Sequence, residues 1–244
     1  MRLLITRPEP DALQLMAALE QHGHDAVVEP LLSVSFALGE AIELDGAQAL
    51  IATSRNALRA LKSHPVGGKA RRLPLFAVGP ATAAAARACG FEMVLTGAGT
   101  AQELVTHIVA VADPAAGLLV QLAGDRQAID LKGELEAHGF RVVQHIVYRT
   151  HAATALSEIA LEGLAMGEID GVILMSPRTA AIYASLMRKQ GLAGIARSLA
   201  HFCVSAAVAE RLAVLGSVPV RIAARPQVEE VLALIDAAAA RSRR

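Results

Sequence analysis

The chain has 244 residues, of which 54% are hydrophobic and 19% charged, and its 23 Lys plus Arg balance its 23 Asp plus Glu. That much apolar material suits two α/β cores of about 100 to 150 residues each and excludes a mini-protein, a disordered chain and a fibrous one. No basic run is longer than Arg241-Ser242-Arg243-Arg244, no apolar run approaches about 18 residues, and Met1 to Pro8 has no signal-like apolar core, so neither nucleic-acid binding nor a membrane segment nor export is expected.

Taken in order, the predicted elements alternate. Leu3 to Thr6 reads as a strand; Leu13, Met16, Ala17, Leu19 and Glu20 follow at helical spacing, and His22-Gly23 stops that helix. Ala26 to Val28 opens the next strand, after which Ser33 to Asp45 is less regular. The pattern resumes with a strand at Ala49 to Ala52, a Ser54-led helix to Leu61 and a strand at Leu75 to Val78. An Ala-rich helix ending at Cys89-Gly90, a strand at Met93 to Leu95, a helix from Thr100 to Val111 and a strand at Leu118 to Leu122 complete it. Such alternation predicts a parallel sheet covered by helices. Cys89 and Cys203 lie in apolar context without CxxC or Cys/His spacing; they read as small buried hydrophobes, with no disulfide framework or zinc site, in a reducing cytosol.

The chain also resembles itself. Leu19-Glu20-Gln21-His22-Gly23 with Val27 matches Leu135-Glu136-Ala137-His138-Gly139 with Val143. Ala49 to Ser54 matches Gly171 to Ser176, and Phe76 to Glu103 matches Phe202 to Glu229. Three matches in one order imply a duplicated α/β unit and two similar lobes, with the cleft of such a pair as the usual place for a ligand.

Four strand ends run into a small or hydroxyl residue that opens a helix: Thr53-Ser54-Arg55-Asn56, Val78-Gly79-Pro80-Ala81-Thr82, Met175-Ser176-Pro177-Arg178-Thr179 and Val204-Ser205-Ala206-Ala207. Each is sufficient as helix capping, with Ser or Thr satisfying orphan amides and Pro at the first helical position. Together they would lie at the carboxyl ends of parallel strands, where helix N-termini offer N–H groups to anions such as a polycarboxylate. Gly97-Ala98-Gly99-Thr100 lacks the third glycine and Gly-Lys-Ser/Thr ending of a phosphate loop; Thr100 with Glu103 instead spells a capping box. Leu122-Ala123-Gly124-Asp125-Arg126 ends a strand in a charged turn, either solvated or a ligand clamp. His22-Gly23-His24 has no third partner to make a metal site. Tyr148, in a chain with 3% aromatics, ends a β-like run and reads either as a strand tyrosine with a surface hydroxyl or as a functional group.

The ordered set of Leu4-Ile5-Thr6-Arg7-Pro8, Thr53-Ser54-Arg55-Asn56-Ala57, Phe76-Ala77-Val78-Gly79-Pro80-Ala81-Thr82-Ala83, Ala123-Gly124-Asp125-Arg126, Val147-Tyr148-Arg149-Thr150 and Met175-Ser176-Pro177-Arg178-Thr179 resembles the uroporphyrinogen-III synthases over nearly the full length. These enzymes cyclise hydroxymethylbilane on the route to haem, cobalamin and related tetrapyrroles. The resemblance implies an α/β protein of two flavodoxin-like lobes, parallel sheets flanked by helices, joined by a two-stranded linker. One lobe would comprise residues 1–35 plus 152–244 and the other 40–147, with 36–39 and 148–151 as the crossings.

The resemblance further implies that Tyr148 matches the family tyrosine that assists loss of the substrate hydroxyl. Arg7, Ser54, Thr82, Ser176 and Ser205 fall at turns facing the cleft, and Arg55, Gly124 and Arg178 join them as substrate contacts. Ser205 departs from the family's small-Gly or Gly-Pro form of that turn, and Ala207-Val208 replaces a threonine often found there. The implied enzyme is a cyclising hydro-lyase without cofactor or metal. It would be a cytoplasmic monomer that takes hydroxymethylbilane and makes transient contact with hydroxymethylbilane synthase, and contacts neither nucleic acid nor membrane. A rival reading is a non-catalytic two-lobed small-anion-binding or sensor protein, which predicts an export signal or an output domain; neither is visible. A nucleotide-dependent transferase lacks its glycine fingerprint.

Overall fold

A computed structural model describes residues 1–39, 41–127 and 129–242. Glu40, where the second lobe is expected to begin, and Arg243 and Arg244 of the basic run lie outside the described residues. In chain order the elements are β1 (Arg2–Ile5), α1 (Asp11–Gln21), β2 (Asp25–Val28), β3 (Leu32–Phe36), β4 (Ala47–Ala52), α2 (Arg55–Ser63), α3 (Gly67–Ala70), β5 (Leu75–Ala77) and α4 (Pro80–Ala88). There follow β6 (Val94–Thr96), α5 (Ala101–Val111), β7 (Leu118–Gly124), α6 (Leu131–Ala137), β8 (Arg141–Ala152), α7 (Glu158–Ala165), β9 (Gly171–Leu174) and α8 (Pro177–Lys189). The last are α9 (Ala193–Ala196), β10 (Ala200–Cys203), α10 (Ala206–Ala209), a 3-10 turn at Glu210–Leu215, β11 (Val220–Ile222) and α11 (Val228–Ser242).

The chain divides into two compact units, Met1–Ser33 with His151–Arg244, and Val34–Thr150. The first is built on a parallel sheet of order β11-β10-β9-β1-β2. The second has β6-β5-β4-β7-β8 as a parallel sheet, with β3 bordering β8. Helices cover both faces, so strands read as unbroken apolar runs rather than as alternation. Leu3, Leu4 and Ile5, Val172, Ile173 and Leu174, and Leu50, Ile51 and Ala52 are all fully buried.

The self-similar segments occupy equivalent places. β9 and β4 lie next to β1 and β7 respectively, β10 and β5 come next on one side, and β2 and β8 take the far side. Numbered within its own unit, the first sheet has the flavodoxin order 2-1-3-4-5. In the second the pair β7-β8 fills the place of β1-β2 but follows the other three strands in the chain, a permuted copy of the same sheet.

Two local expectations shift. β7 continues through Ala123 to Gly124, so the turn expected from Ala123 starts two residues later. Cys203 is buried, and burial pushes its thiol up to about 11, but Cys89 is only half-buried, with its Sγ on the Leu58 carbonyl. Among the described residues no helix is long and apolar enough to cross a membrane.

The first unit is stapled across its ends. At the C-terminal end of α1, His22 Nδ1 and His24 Nε2 donate to the two oxygens of Asp236 in α11, at 2.8 and 2.9 Å. Partial burial works to raise the Asp236 pKa, but the two imidazole hydrogen bonds outweigh it and hold the group below its ordinary 3.8. A depressed carboxylate contributes stability that is complete above about pH 3.8 and is lost as pH falls through its folded value. Asp236→Asn is therefore expected to lower the thermal midpoint by about 2–4 °C near neutral pH. The gap to the unsubstituted protein should close as the medium is acidified through the carboxylate range, as calorimetric scans at stepped pH will show.

Candidate active site

In the second unit the chain runs from β4 outward to β5 and β6, and from β7 the other way to β8, so the connections diverge between β4 and β7. Ligands of open parallel sheets bind beyond the carboxyl ends of strands at such a divergence. A cavity of about 500 Å³ lies there, lined by Thr53, Val78, Thr100, Gln121, Arg126 and Tyr148 among others.

Tyr148 reaches this cavity through an irregularity in pairing. β7 and β8 pair residue for residue up to Ala123 with Ile146, and then Gly124 pairs with Tyr148, skipping Val147. The bulge re-aims the following side chain, and the tyrosine ring settles over Gly124. A Cβ at residue 124 would meet the ring Cζ at 2.5 Å and the hydroxyl oxygen at 2.7 Å, so only glycine leaves room. Tyr148 is 9% exposed; the sequence reading of a surface hydroxyl gives way to a ring packed in the core with its edge on the cavity. Among the described residues no group hydrogen-bonds the hydroxyl.

The charged turn divides its work. Asp125 Oδ1 accepts from Thr150 N–H at 3.0 Å and from the Thr150 hydroxyl at 3.2 Å, and Asp125 N–H donates to the Tyr148 carbonyl at 3.1 Å. Asp125 thus ties the strand ends, while Arg126 lines the cavity and makes no ion pair among the described residues. The opposite wall is the first turn of α5. Thr100 and Glu103 form the expected capping box, in which hydrogen bonds from the Thr100 hydroxyl and N–H hold the Glu103 carboxyl below its ordinary 4.5. The N–H groups of Ala101 and Gln102, both on the cavity wall, have no partner within the helix, as in any first turn. Arginine, free amides and the positive helix end make this wall attractive to a carboxylate.

The remaining sequence candidates are distributed as follows. Ser54 caps α2, accepting from Asn56 N–H at 3.1 Å; Arg55 is the first residue of that helix, and Thr82 is buried in α4. Neither Ser54, Arg55 nor Thr82 lines the cavity. In the first unit Arg7 follows β1 and pairs with Asp11 of α1 at 3.1 Å. Ser176 caps α8, accepting from Thr179 N–H at 3.1 Å. Arg178 lines a separate hollow of about 380 Å³ beside Thr154 and Lys189. Ser205 stands at the start of α10 but makes no capping hydrogen bond, a correction to its expected role: the helix after it is a single turn. The reading of strand ends passed over Gln121, whose only signal is one amide inside the apolar run Leu118 to Gly124.

Sheet order, duplicated units and a carboxylate-seeking pocket at strand ends define a two-unit doubly wound α/β protein. The family model described as uroporphyrinogen-III synthase HemD matches residues 14–233, and the chain belongs to that family of porphyrin-biosynthesis enzymes. It is similar to the uroporphyrinogen-III synthetase of Helicobacter pylori over 98% of this chain and 100% of that one, at 18% identity and a TM-score of 0.66. It is also similar to a mutant uroporphyrinogen III synthase from Thermus thermophilus over 99% of each chain, at 16% identity and a TM-score of 0.57. At these identities the likeness is one of fold. No curated protein matches the chain in sequence.

Because the ring occupies the space a side chain at residue 124 would need, Gly124→Ala is expected to push Tyr148 out of its seat at a cost of about 1–3 kcal/mol. The chain has two tyrosines and no tryptophan, so tyrosine emission and denaturant unfolding together read the displacement. An unaltered emission would show that the ring is not held there.

Proposed function

We propose that the chain cyclises hydroxymethylbilane to uroporphyrinogen III with inversion of ring D and loss of water. The observation that carries this reading is Tyr148 on the wall of a strand-end cavity, in a chain of the uroporphyrinogen-III synthase family. A hydroxymethylpyrrole is primed to lose its hydroxyl to the ring nitrogen's lone pair, which leaves an azafulvenium cation. Little acid or base strength is needed. Tyr148 donates a hydrogen bond to the departing oxygen, by analogy with general-acid catalysis; as the C–O bond breaks the oxygen takes a second proton from solvent, balanced by the proton released at the last step, and leaves as water. The substituted α-carbon of ring D then bonds to the methylene carbon, giving a spiro intermediate; the bond from that α-carbon to the ring C methylene breaks, the free α-carbon of ring D bonds to that methylene with ring D inverted, and that carbon gives up its proton.

The protein's main task is therefore shape. Unguided closure gives the non-inverted isomer, and holding the reacting ends in near-attack geometry supplies several kcal/mol. Helix N-termini at strand ends, α5 in the second unit and the Ser176-capped α8 in the first, suit the acid side arms of such a substrate. Arg7, Ser54, Arg55, Thr82, Gly124, Arg178 and Ser205 remain assigned to substrate contact under this proposal, with Gly124 acting through the seat of Tyr148. The enzyme works as a monomeric, cofactor-independent lyase in the cytoplasm and receives its substrate from hydroxymethylbilane synthase.

Freshly prepared hydroxymethylbilane incubated with the purified chain, followed by oxidation and separation of the porphyrin isomers, is expected to give isomer III; isomer I alone would refute the proposal. Tyr148→Phe should lower kcat by about tenfold or more with the thermal midpoint little changed. Exhaustive dialysis against a chelator should leave turnover intact, and a loss restored by a divalent metal would contradict the cofactor-free reading.

A further inference from the structure

Charge is spread unevenly along this chain. Residues 46–91 carry Arg55, Arg59, Lys62, Lys69, Arg71, Arg72 and Arg87 but no Asp or Glu, so all 23 carboxylate side chains lie outside that stretch. The fold gathers it onto one face of the second unit's sheet, where Leu58 and Leu61 of α2, Ala70 of α3 and Ala86 of α4 share a core cluster with Leu50 and Leu75. On the opposite face α5 and α6 bear Glu103, Glu134 and Glu136 against Lys132 as their one Lys or Arg. The unit is therefore basic on one side of its sheet and acidic on the other.

Among the described residues the side chains of Lys62, Lys69, Arg71, Arg72 and Arg87 make no hydrogen bond or ion pair, and Glu92, the first carboxylate after the stretch, joins none of them. Lys62 and Arg87 stand in the last turns of α2 and α4, where a cation complements the helix dipole. That effect does not extend to Lys69, Arg71 and Arg72, because α3 is a single turn and three cations about its end repel one another. Arg71 is half-buried and held in place. A Cβ at residue 90 would meet its Cδ at 3.3 Å, and one at residue 67 would meet its Nη2 at 3.8 Å, so the side chain spans the gap between α3 and the end of α4. A guanidinium held this way without a counter-ion suits a carboxylate from outside.

The surroundings select the kind of partner. Phe76 and Phe91 are buried, so no aromatic ring is offered for base stacking, and no run of exposed apolar side chains is present to enter a bilayer. Met93 is 57% exposed, and its carbonyl accepts from Leu75 N–H at 2.9 Å, which sets one apolar residue beside the Lys69 to Arg72 segment. Arg and Met are side chains that protein interfaces favour. We propose that the α2–α3–α4 face is a docking surface for an acidic protein segment, in which Arg71 and Arg72 pair with carboxylates and Met93 meets an apolar side chain between them. The five cations lie where α2 and α4 end and the chain turns back to enter β5 and β6, at the other end of the sheet from the cavity beyond Thr53 and Val78. Docking there leaves the cavity open, and the proposal does not depend on the cyclisation.

The test uses the full chain and a peptide of glutamates with leucines interspersed, beside poly-glutamate, a single-stranded oligonucleotide and phosphatidylserine vesicles. Titrations at low ionic strength are expected to show the mixed peptide bound most tightly, with an affinity that falls as salt is added. Combining Lys69→Gln, Arg71→Met and Arg72→Gln should weaken that binding by about tenfold or more at an equal or higher thermal midpoint. Lys132→Gln with Arg141→Gln, the control, should change it by less than about threefold. Met93→Ser should remove the advantage of the mixed peptide over poly-glutamate. Tighter binding of the oligonucleotide or the vesicles would overturn the proposal, and so would equal losses in the two sets of cation variants or a mixed peptide no better than poly-glutamate. Should the triple variant melt lower, Arg72→Gln alone, at an exposed position, decides: a loss of about threefold is expected, and no loss overturns the proposal.

Discussion

A parallel sheet covered on both faces tolerates polar side chains only where its strands stop, and most of the chemistry of this protein follows from that constraint. Leu50, Ile51 and Ala52 of β4 or Leu3, Leu4 and Ile5 of β1 have no solvent face on which to place a polar group. Recognition is displaced to the carboxyl ends, where Thr53, Gly124, Arg126 and Tyr148 follow the last apolar residues of their strands, and where helix N-termini face the same way. Gln121 and His201 depart from the rule by standing within strands, the first paired with the Gln127 amide and the second with the Tyr183 hydroxyl.

The placement of Tyr148 depends on three neighbours acting together. The irregular pairing after Ala123 brings the residue opposite Gly124, the missing side chain at 124 gives the ring a floor, and Asp125 ties the ends of both strands so that the seat keeps its shape. A phenol held on a strand is a more rigid donor than one on a loop, which suits the proposed cyclisation, where geometry would decide the product. The poverty of charged groups in the cavity is consistent with such chemistry. The chain belongs to the uroporphyrinogen-III synthase family, and Tyr148 lines the strand-end cavity.

Duplication accounts for the two sheets but also for their difference. Both units use the same five positions, yet the first completes its sheet with strands from the start of the chain and the second with strands that come last in its own segment. The chain passes from one unit to the other within β3 and again within β8. Equivalent strand ends have since acquired different furniture. The turn after β5 opens a nine-residue helix through Gly79 and Pro80, while its counterpart after β10 opens only a four-residue turn after Ser205, whose side chain caps nothing.

Local interactions were legible in the amino-acid order because they act over a turn or two. The alternation of strands and helices, the Thr100–Glu103 box, the caps at Ser54 and Ser176, the prolines opening α4 and α8, and the repeated segments all depend on residues within a few positions of each other. Tyr148 and Gly124 could be singled out by resemblance, though nothing in their neighbourhood says that one is the floor of the other. Tertiary structure alone decided what depends on register between strands far apart in sequence. It set the skip at Val147, the division of labour between Asp125 and Arg126, and the convergence of His22 and His24 on Asp236. The reason is physical: a strand's period shows which residues share a face, but what that face meets is fixed only when other strands and helices pack against it.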